Sequence, residues 1–317
     1  MLRAVSSIGK ETDSMKCYQV PPIVAHDRLR EFVQSCDRDL QERMKRVARE
    51  LAELPALQLL GLTGPSCAGK TTAAKEMTSY LEEHGHHVHV ISIDDFYYDK
   101  EYLHQRAEED PNIEIDYDSE DTIDVSLLAQ KTEQLLAGRI TVLPRFDFEQ
   151  GIRTVGKTVE PKAGDVFLFE GIQILYPKVR SILSGTSYRS VYIAPQSAIE
   201  VGGERFEPNE LRRMRRVVRD FRYRATDPAF TFYLWQSVRA NEEKNIFPYA
   251  RFCDLQIDST MPYEVGMLKP YLEELLPKIP DADPCAEVAT EILKKLAGVE
   301  AVSADYRLPN SLYKEFI

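Results

Sequence analysis

The sequence predicts a three-layer α/β fold with a mainly parallel sheet. From residue 56 onward, short apolar runs of strand length alternate with longer segments whose apolar residues recur at helical spacing. The strand-like runs are almost continuously apolar, as expected for a parallel sheet that helices cover on both faces. The first run leads directly into a glycine-rich turn and then a helix, an order typical of phosphate-binding α/β folds.

The composition describes a globular protein of the cytoplasm. The chain has 317 residues and a formal net charge of -11. Such an acidic surface repels a phosphate backbone, so we expect no nucleic-acid partner. Five scattered cysteines without CxxC spacing argue against a disulfide framework and for a reducing compartment. We see neither a signal-peptide core nor an apolar run of about 18 residues, so we expect no membrane association.

We divide the chain into three parts. Residues 1–55 hold a polar segment and, at 26–53, a long amphipathic helix. This helix is expected to pack on the domain or on a second copy of the chain, which leaves a homo-oligomer open. Residues 56–262 form the α/β domain, with an arginine-rich helical lid at about 208–245. Residues 263–317 contribute added C-terminal helices and a tail.

The elements of the α/β domain follow in order. Strands are predicted at 56–62, 87–93, 165–172, 190–194 and 254–259. Helices are predicted at 70–85, closed by Gly85, and at 121–138.

Residues 64–71, GPSCAGKT, fit the pattern G-x-x-x-x-G-K-[ST] between a strand and a helix. Glycines let backbone N–H groups converge on phosphate oxygens, and the helix directs its positive end at the same point. Lys70 can then reach the β- and γ-phosphates, and the Thr71 hydroxyl can bind Mg²⁺. We therefore expect ATP and Mg²⁺ as cofactors. The predicted phosphate-binding residues are Gly64, Ser66, Cys67, Ala68, Gly69, Lys70, Thr71 and Thr72.

Acidic residues end two of the predicted strands. Asp94 and Asp95 follow the strand at 87–93, and Glu170 lies in the strand at 165–172. Ligands of parallel sheets lie beyond the carboxyl ends of the strands, so these carboxylates belong beside the phosphate loop. One of the aspartates can accept a proton from an attacking hydroxyl, and Glu170 can hold the Mg²⁺ shell. The alternative for the aspartates is a helix cap or turn.

Two further clusters allow alternative interpretations. Arg212, Arg215, Arg216 and Arg219 share one helical face, which predicts a lid over phosphates, with a solvated face or a nucleic-acid patch as alternatives. The histidines of EEHGHHVHV (82–90) straddle a helix end and a strand start. We expect that junction to scatter their side chains and predict no metal site there.

From about Leu57 to Asp258 the chain resembles the phosphoribulokinase/uridine kinase family of P-loop kinases. The motifs in the order of that family are GPSCAGKT, SIDDFY, DYDSEDTID, RFDFEQGIR, FLFEGI and RRMRRVVRD. The resemblance implies a P-loop fold and transfer of a phosphoryl group from ATP to a hydroxyl of a small molecule. The stretch NEEKNIFPYARFCDLQIDS and the C-terminal LPNSLYKEFI look like a bacterial, uridine kinase-like branch.

The resemblance also implies roles for matching positions. Asp94 matches the catalytic base and a Mg²⁺ ligand, together with Thr71 and Glu170. Asp118 matches the residue that binds the ribose hydroxyls. The remaining substrate-side positions are Tyr97, Tyr117, Phe146, Phe148, Arg153 and Arg212. The lid arginines are Arg216 and Arg219, which are counted with Lys70 as catalytic, and Arg224, which is counted with the ATP site.

The chain departs from uridine kinases where the base is read. Phe146-Asp147-Phe148 and Gly151 replace a Tyr-Asp-Phe followed by a histidine, so base selectivity should be altered or relaxed. The expected acceptor is the 5′-hydroxyl of a pyrimidine nucleoside. The alternatives are another hydroxylated metabolite, such as a sugar phosphate or a pantothenate-like acid, and a nucleotide-dependent regulatory ATPase.

Overall fold

Three sheets and a set of surrounding helices make up the described part of the chain. A computed structural model describes residues 16–20, 26–54, 56–109, 119–185 and 187–317. Within these ranges the strands are β1 Cys17–Gln19, β2 Leu59–Thr63, β3 Val88–Ser92, β4 Thr141–Asp147, β5 Ile152–Val159, β6 Val166–Glu170, β7 Tyr188–Ala194, β8 Ala198–Val201, β9 Glu204–Phe206 and β10 Leu255–Asp258. The helices are α1 His26–Ala52, α2 Lys70–Glu83, α3 Lys100–Glu109, α4 Val125–Leu136, α5 Pro177–Ile182, α6 Pro208–Arg224, α7 Pro228–Asn245, α8 Phe247–Ala250, α9 Glu264–Leu275 and α10 Ala286–Leu296.

The central sheet has the strand order β10-β7-β2-β6-β3, and every neighbouring pair is parallel. All five residues of β2, the middle strand, are buried. Helices cover both faces, as the continuous apolar runs require, because each face of such a strand must be removed from water. The predicted three-layer α/β fold is therefore confirmed, and its five predicted strands all lie in this sheet.

Helix α1 lies where the amphipathic pattern predicts it. Its apolar residues Val33, Leu40, Met44 and Leu51 are buried, and the helix packs on α2 and β10. The apolar face is thus covered by the chain itself, the first of the two arrangements that the sequence allowed. Among the described residues, no helix has both the length and the apolar character needed to cross a membrane.

The antiparallel hairpin of β4 and β5 is not predicted from the sequence. Its register shifts between Val142 and Pro144, and much of β5 is exposed, so neither strand shows a clean apolar alternation. The hairpin matters for function because its tip, Phe146 to Phe148, reaches the end of the central sheet, where the backbone N–H of Phe146 bonds to Asp95.

The C-terminal tail packs against the start of α2. Leu312 lies so close to Gly69 that a Cβ atom at Gly69 would come within 2.3 Å of Leu312 Cδ1. The Tyr313 hydroxyl donates a hydrogen bond of 2.5 Å to Glu264, and Tyr313 is fully buried. These anchors bring Glu315, at the end of a short 3-10 turn, to the first turn of α2.

Candidate functional site

A cleft of about 750 Å³ lies at the carboxyl ends of the central strands. This volume is in the range of small-molecule sites, and the position is where ligands of open parallel sheets bind. Among the residues that line it are Ser66, Cys67, Lys70, Thr71, Asp94, Tyr97, Phe148, Glu170, Gln173, Arg216, Arg219, Arg224 and Glu315. Most of the predicted site residues in the described ranges are therefore gathered in one place.

The turn between β2 and α2 has the backbone of a phosphate loop. At Gly64 a Cβ atom would lie 1.9 Å from the carbonyl oxygen of Ile193, so only glycine fits there. Cys67 and Gly69 have φ angles of 59° and 95°, in the left-handed region that anion-binding turns use. Lys70 Nζ donates to the carbonyls of Gly64 (2.9 Å) and Pro65 (3.1 Å). Burial lowers the pKa of Lys70, so an anion in the loop would favour its charged form.

Two carboxylates and a hydroxyl make an oxygen-rich edge beside this loop. Asp94 lies in the 3-10 turn directly after β3, and Glu170 is the last residue of β6, the neighbouring strand. Ser92 Oγ donates to Glu170 Oε1 at 2.8 Å, and burial raises the pKa of Glu170. Asp94, Glu170 and the hydroxyl-bearing Thr71 line the same cleft. Hydroxyl and carboxylate oxygens are the ligands Mg²⁺ prefers, so the donor set fits that ion.

Asp94 and Asp95 point in different directions and make different contacts. Asp95 Oδ1 accepts the backbone N–H of Phe146 at 3.0 Å, and burial raises the pKa of Asp95. Asp95 thus holds the hairpin tip through a long-range contact. Asp94 faces the cleft instead, where it accepts a hydrogen bond of 2.8 Å from Gln173 Nε2.

Gln173 is a site residue that sequence reasoning missed. It is 2% exposed, and its Nε2 also lies 2.9 Å from the Tyr97 hydroxyl, so it fixes Asp94 and Tyr97 relative to each other. Within the described part of the chain, its Oε1 has no hydrogen-bond partner. A lone amide in the otherwise apolar run GIQIL was the available signal.

The rings of Tyr97 and Phe148 form an aromatic wall of the cleft, and the buried ring of Phe146 packs against both. The ring centroids of Tyr97, Phe146 and Phe148 lie 5.0–6.0 Å apart, and Phe148 is 59% exposed. Arg153 is held beside this wall by Asp124, its NH1 lying 2.9 Å from the carboxylate. Asp118, the predicted ribose-side residue, and Tyr117, predicted to lie beside the base, fall outside the described residues.

The arginines of helix α6 fall into two groups with different contacts. This corrects the expectation that Arg212, Arg215, Arg216 and Arg219 all close over phosphates. Arg212 is 1% exposed and bonds Glu242 of α7 through both terminal nitrogens at 2.6 Å, so it lies behind the cleft wall and not at a substrate-facing position. Arg215 is fully buried and paired with Glu264 of α9. Buried charges must be neutralised, and these two glutamates do so. The pairs anchor α6 to the domain.

Three further arginines of this helix line the cleft. Arg216, Arg219 and Arg224 all lie within 3.6 Å of the buried carboxylate of Asp220. Asp220 therefore pairs with three guanidinium groups at one point of the cleft wall. Since one carboxylate cannot neutralise three guanidinium groups, this part of the cleft wall carries an excess of positive charge, while Asp94, Glu170 and Glu315 line the cleft elsewhere.

Comparison with known proteins gives the family. A model of the phosphoribulokinase/uridine kinase family matches residues 59–264. A uridine kinase of Lactobacillus helveticus is 28% identical over 200 residues, covering 62% of this chain and 84% of that protein. A uridine kinase of Staphylococcus aureus is 28% identical over 206 residues, covering 64% of this chain and 88% of that protein.

A solved structure, described as a putative fructose transport system kinase from Silicibacter sp. TM1040, is 19% identical. The match covers 67% of this chain and 98% of that one, with a TM-score of 0.46. The family match spans well over half of the chain and includes the phosphate loop, Asp94, Glu170 and the arginines of α6. The chain therefore belongs to the phosphoribulokinase/uridine kinase family of kinases.

Proposed function

We propose that this kinase transfers the γ-phosphoryl group of ATP to a hydroxyl of a small molecule, with the 5′-hydroxyl of a pyrimidine nucleoside as the first-choice acceptor. One observation supports this above the others. A cleft-facing carboxylate, Asp94, stands between a phosphate loop and an aromatic wall, where an acceptor hydroxyl would meet the terminal phosphate.

Each group then has a task. Asp94 takes the proton of the attacking hydroxyl, and Gln173 keeps its carboxylate oriented. Lys70, Arg216 and Arg219 offset the charge that spreads over the transferring phosphoryl oxygens. Thr71, Asp94 and Glu170 would hold Mg²⁺, which supplies further charge neutralisation on the phosphates. The products are ADP and the phosphoester, and the proton leaves through Asp94.

The acceptor is the open part of the proposal. The rings of Tyr97 and Phe148 can stack on a base, but Phe146, which packs against them and is 8% exposed, has no hydroxyl with which to read the base edge. A wall of that chemistry selects by stacking and shape, so uridine and cytidine should be poorly separated from other bases. It also leaves room for a different hydroxylated metabolite. A regulatory ATPase is less well supported, because it has no need of an acceptor-side base such as Asp94.

A coupled assay of ADP release tests these options in one experiment. The acceptors are uridine, deoxyuridine, cytidine, a purine nucleoside, a sugar phosphate and pantothenate. We expect ADP release with ribonucleosides above the acceptor-free rate, and weaker release with deoxyuridine. Activity only with a non-nucleoside alcohol would remove the nucleoside proposal, and acceptor-independent hydrolysis alone would favour the regulatory ATPase.

A further inference from the structure

We propose that His87, His89 and Asp165 form a binding site for a divalent cation of the zinc class. The three residues lie where β3 and β6 begin, since Val88 pairs with Val166 in the register of these strands. The kinase cleft lies at the opposite ends of the same strands, about 15 Å away at the usual rise of a strand. The proposed site is thus separate from the Mg²⁺ position.

The geometry brings three ligand atoms to one point. His87 Nδ1 is 3.2 Å from Asp165 Oδ1, and His89 Nε2 is 2.8 Å from Asp165 Oδ2. All three ligating atoms lie within 4.8 Å of one another. Zinc bonds of about 2.0–2.2 Å in a tetrahedral site place ligand atoms about 3.3 Å apart, so only small side-chain rotations separate this arrangement from coordination.

The geometry of β3 explains why His87 and His89 converge, contrary to the expected scattering. His87 and His89 flank Val88, so they point to the same side of β3, and Asp165, the residue just before β6, meets them there. His84 and His86, the other members of the cluster, form hydrogen bonds with the carbonyls of Tyr80 and Ala52 instead. The expected scattering therefore holds for one half of the cluster and is wrong for the other.

The surroundings suit a metal and leave it accessible. The Asp165 side chain is 4% exposed, and its Oδ2 also accepts the backbone N–H of Lys162 at 2.9 Å, which fixes the carboxylate. The His87 side chain is 56% exposed and gives solvent a route to the site. Two imidazoles and one carboxylate favour Zn²⁺, Co²⁺ or Ni²⁺ over Mg²⁺, with the remaining position open to water. Among the described residues, no other three side chains of ligating type come together in this way.

Isothermal titration of the full-length protein with ZnCl₂, in excess Mg²⁺ to saturate the kinase cleft, tests the site. We expect one Zn²⁺ to bind with a Kd of about 1 µM or below. His87→Gln and His89→Gln each remove a proposed ligand and should weaken this binding by at least about 10- to 100-fold, the loss seen when only an outer-shell partner of a ligand is removed. Glutamine retains a hydrogen-bond donor for Asp165, and circular dichroism of the metal-free variants checks that they fold.

His84→Gln and His86→Gln are the matched controls and should bind Zn²⁺ like the wild type. Co²⁺ gives a second readout, because a site of this type should produce visible absorption bands that both ligand variants lose. Absence of Zn²⁺ binding by the wild type would overturn the proposal and leave a hydrogen-bonded His-Asp-His cluster. Undiminished binding by the His87→Gln/His89→Gln double variant would overturn it too.

Discussion

Glu315 Oε2 lies 3.1 Å from Thr72 Oγ1 and 3.3 Å from the Thr72 backbone nitrogen. A carboxylate of the C-terminal tail thus binds in the first turn of α2, where the backbone donors of a phosphate loop bind the phosphates of a nucleotide. Leu312 against Gly69 and the buried Tyr313 hold the tail in that place. In the proposed nucleotide site, we therefore expect ATP and the Glu315 carboxylate to compete for the same donors.

Glu315→Gln should tighten ATP binding. The substitution keeps the size of the side chain and removes a negative charge from a helix N-terminus, a contact of about 0.3–1 kcal/mol. We expect the Kd for ATP, measured by calorimetry, to fall by about two- to fivefold. Asn310→Ala, which removes a tail contact with Glu76 away from the loop, is the control. Weaker ATP binding by Glu315→Gln would instead make Glu315 part of the nucleotide site.

Arg219→Ala should slow phosphoryl transfer more than it weakens acceptor binding. Arg219 faces the cleft beside Asp220, so its charge is available to the transferring phosphoryl group. We expect kcat to fall by about 100-fold or more, with a smaller change in the acceptor KM. Arg222→Ala removes the same charge from an exposed position of α6 and should leave kcat nearly unchanged. Equal losses in both variants would indicate a nonspecific effect of charge.

Glu242→Gln should destabilise the fold. Glu242 is 1% exposed and neutralises the buried guanidinium of Arg212, which the substitution would leave without its charge partner. Breaking a buried pair of this kind costs about 3–5 kcal/mol, measured as the free energy of unfolding in urea. Glu243→Gln is the matched control, because the Glu243 side chain is 63% exposed and should change stability by less than about 1 kcal/mol. A similar small loss in both variants would contradict the anchoring role of Arg212.

Mg²⁺-dependent activity should fall on acidification at a higher pH than a free glutamate would cause. Burial raises the pKa of Glu170 above its ordinary 4.5, so this carboxyl keeps its proton to higher pH. Mg²⁺ needs the deprotonated form, and its affinity therefore declines as the pH falls through that raised pKa. The Mg²⁺ concentration for half-maximal activity, measured between about pH 5 and 8, checks this. In Glu170→Gln that pH dependence should disappear together with most of the Mg²⁺ affinity.

Most of the correct predictions rest on residues that are close together in the sequence. The strand, phosphate loop and helix at residues 59–83 are contiguous, so their spacing in the sequence is also their spacing in space. The tasks of Arg212 and His89 could not be found that way. Arg212 pairs with Glu242, 30 residues away, and His89 with Asp165, 76 residues away. Helical spacing puts Arg212 and Arg216 on one face, but only the packing of α7 decides which of them is buried.

The most direct test of the proposed reaction compares Asp94→Asn with Asp95→Asn. Single-turnover transfer of labelled phosphoryl from ATP to the preferred acceptor should fall about 10²- to 10⁴-fold in Asp94→Asn, while ATP still raises the Tm of that variant. Asp95→Asn, altered at the residue that holds the hairpin, should keep much more of the transfer rate. Near wild-type transfer by Asp94→Asn, with an inactive Asp95→Asn, would contradict the assignment of Asp94 as the base.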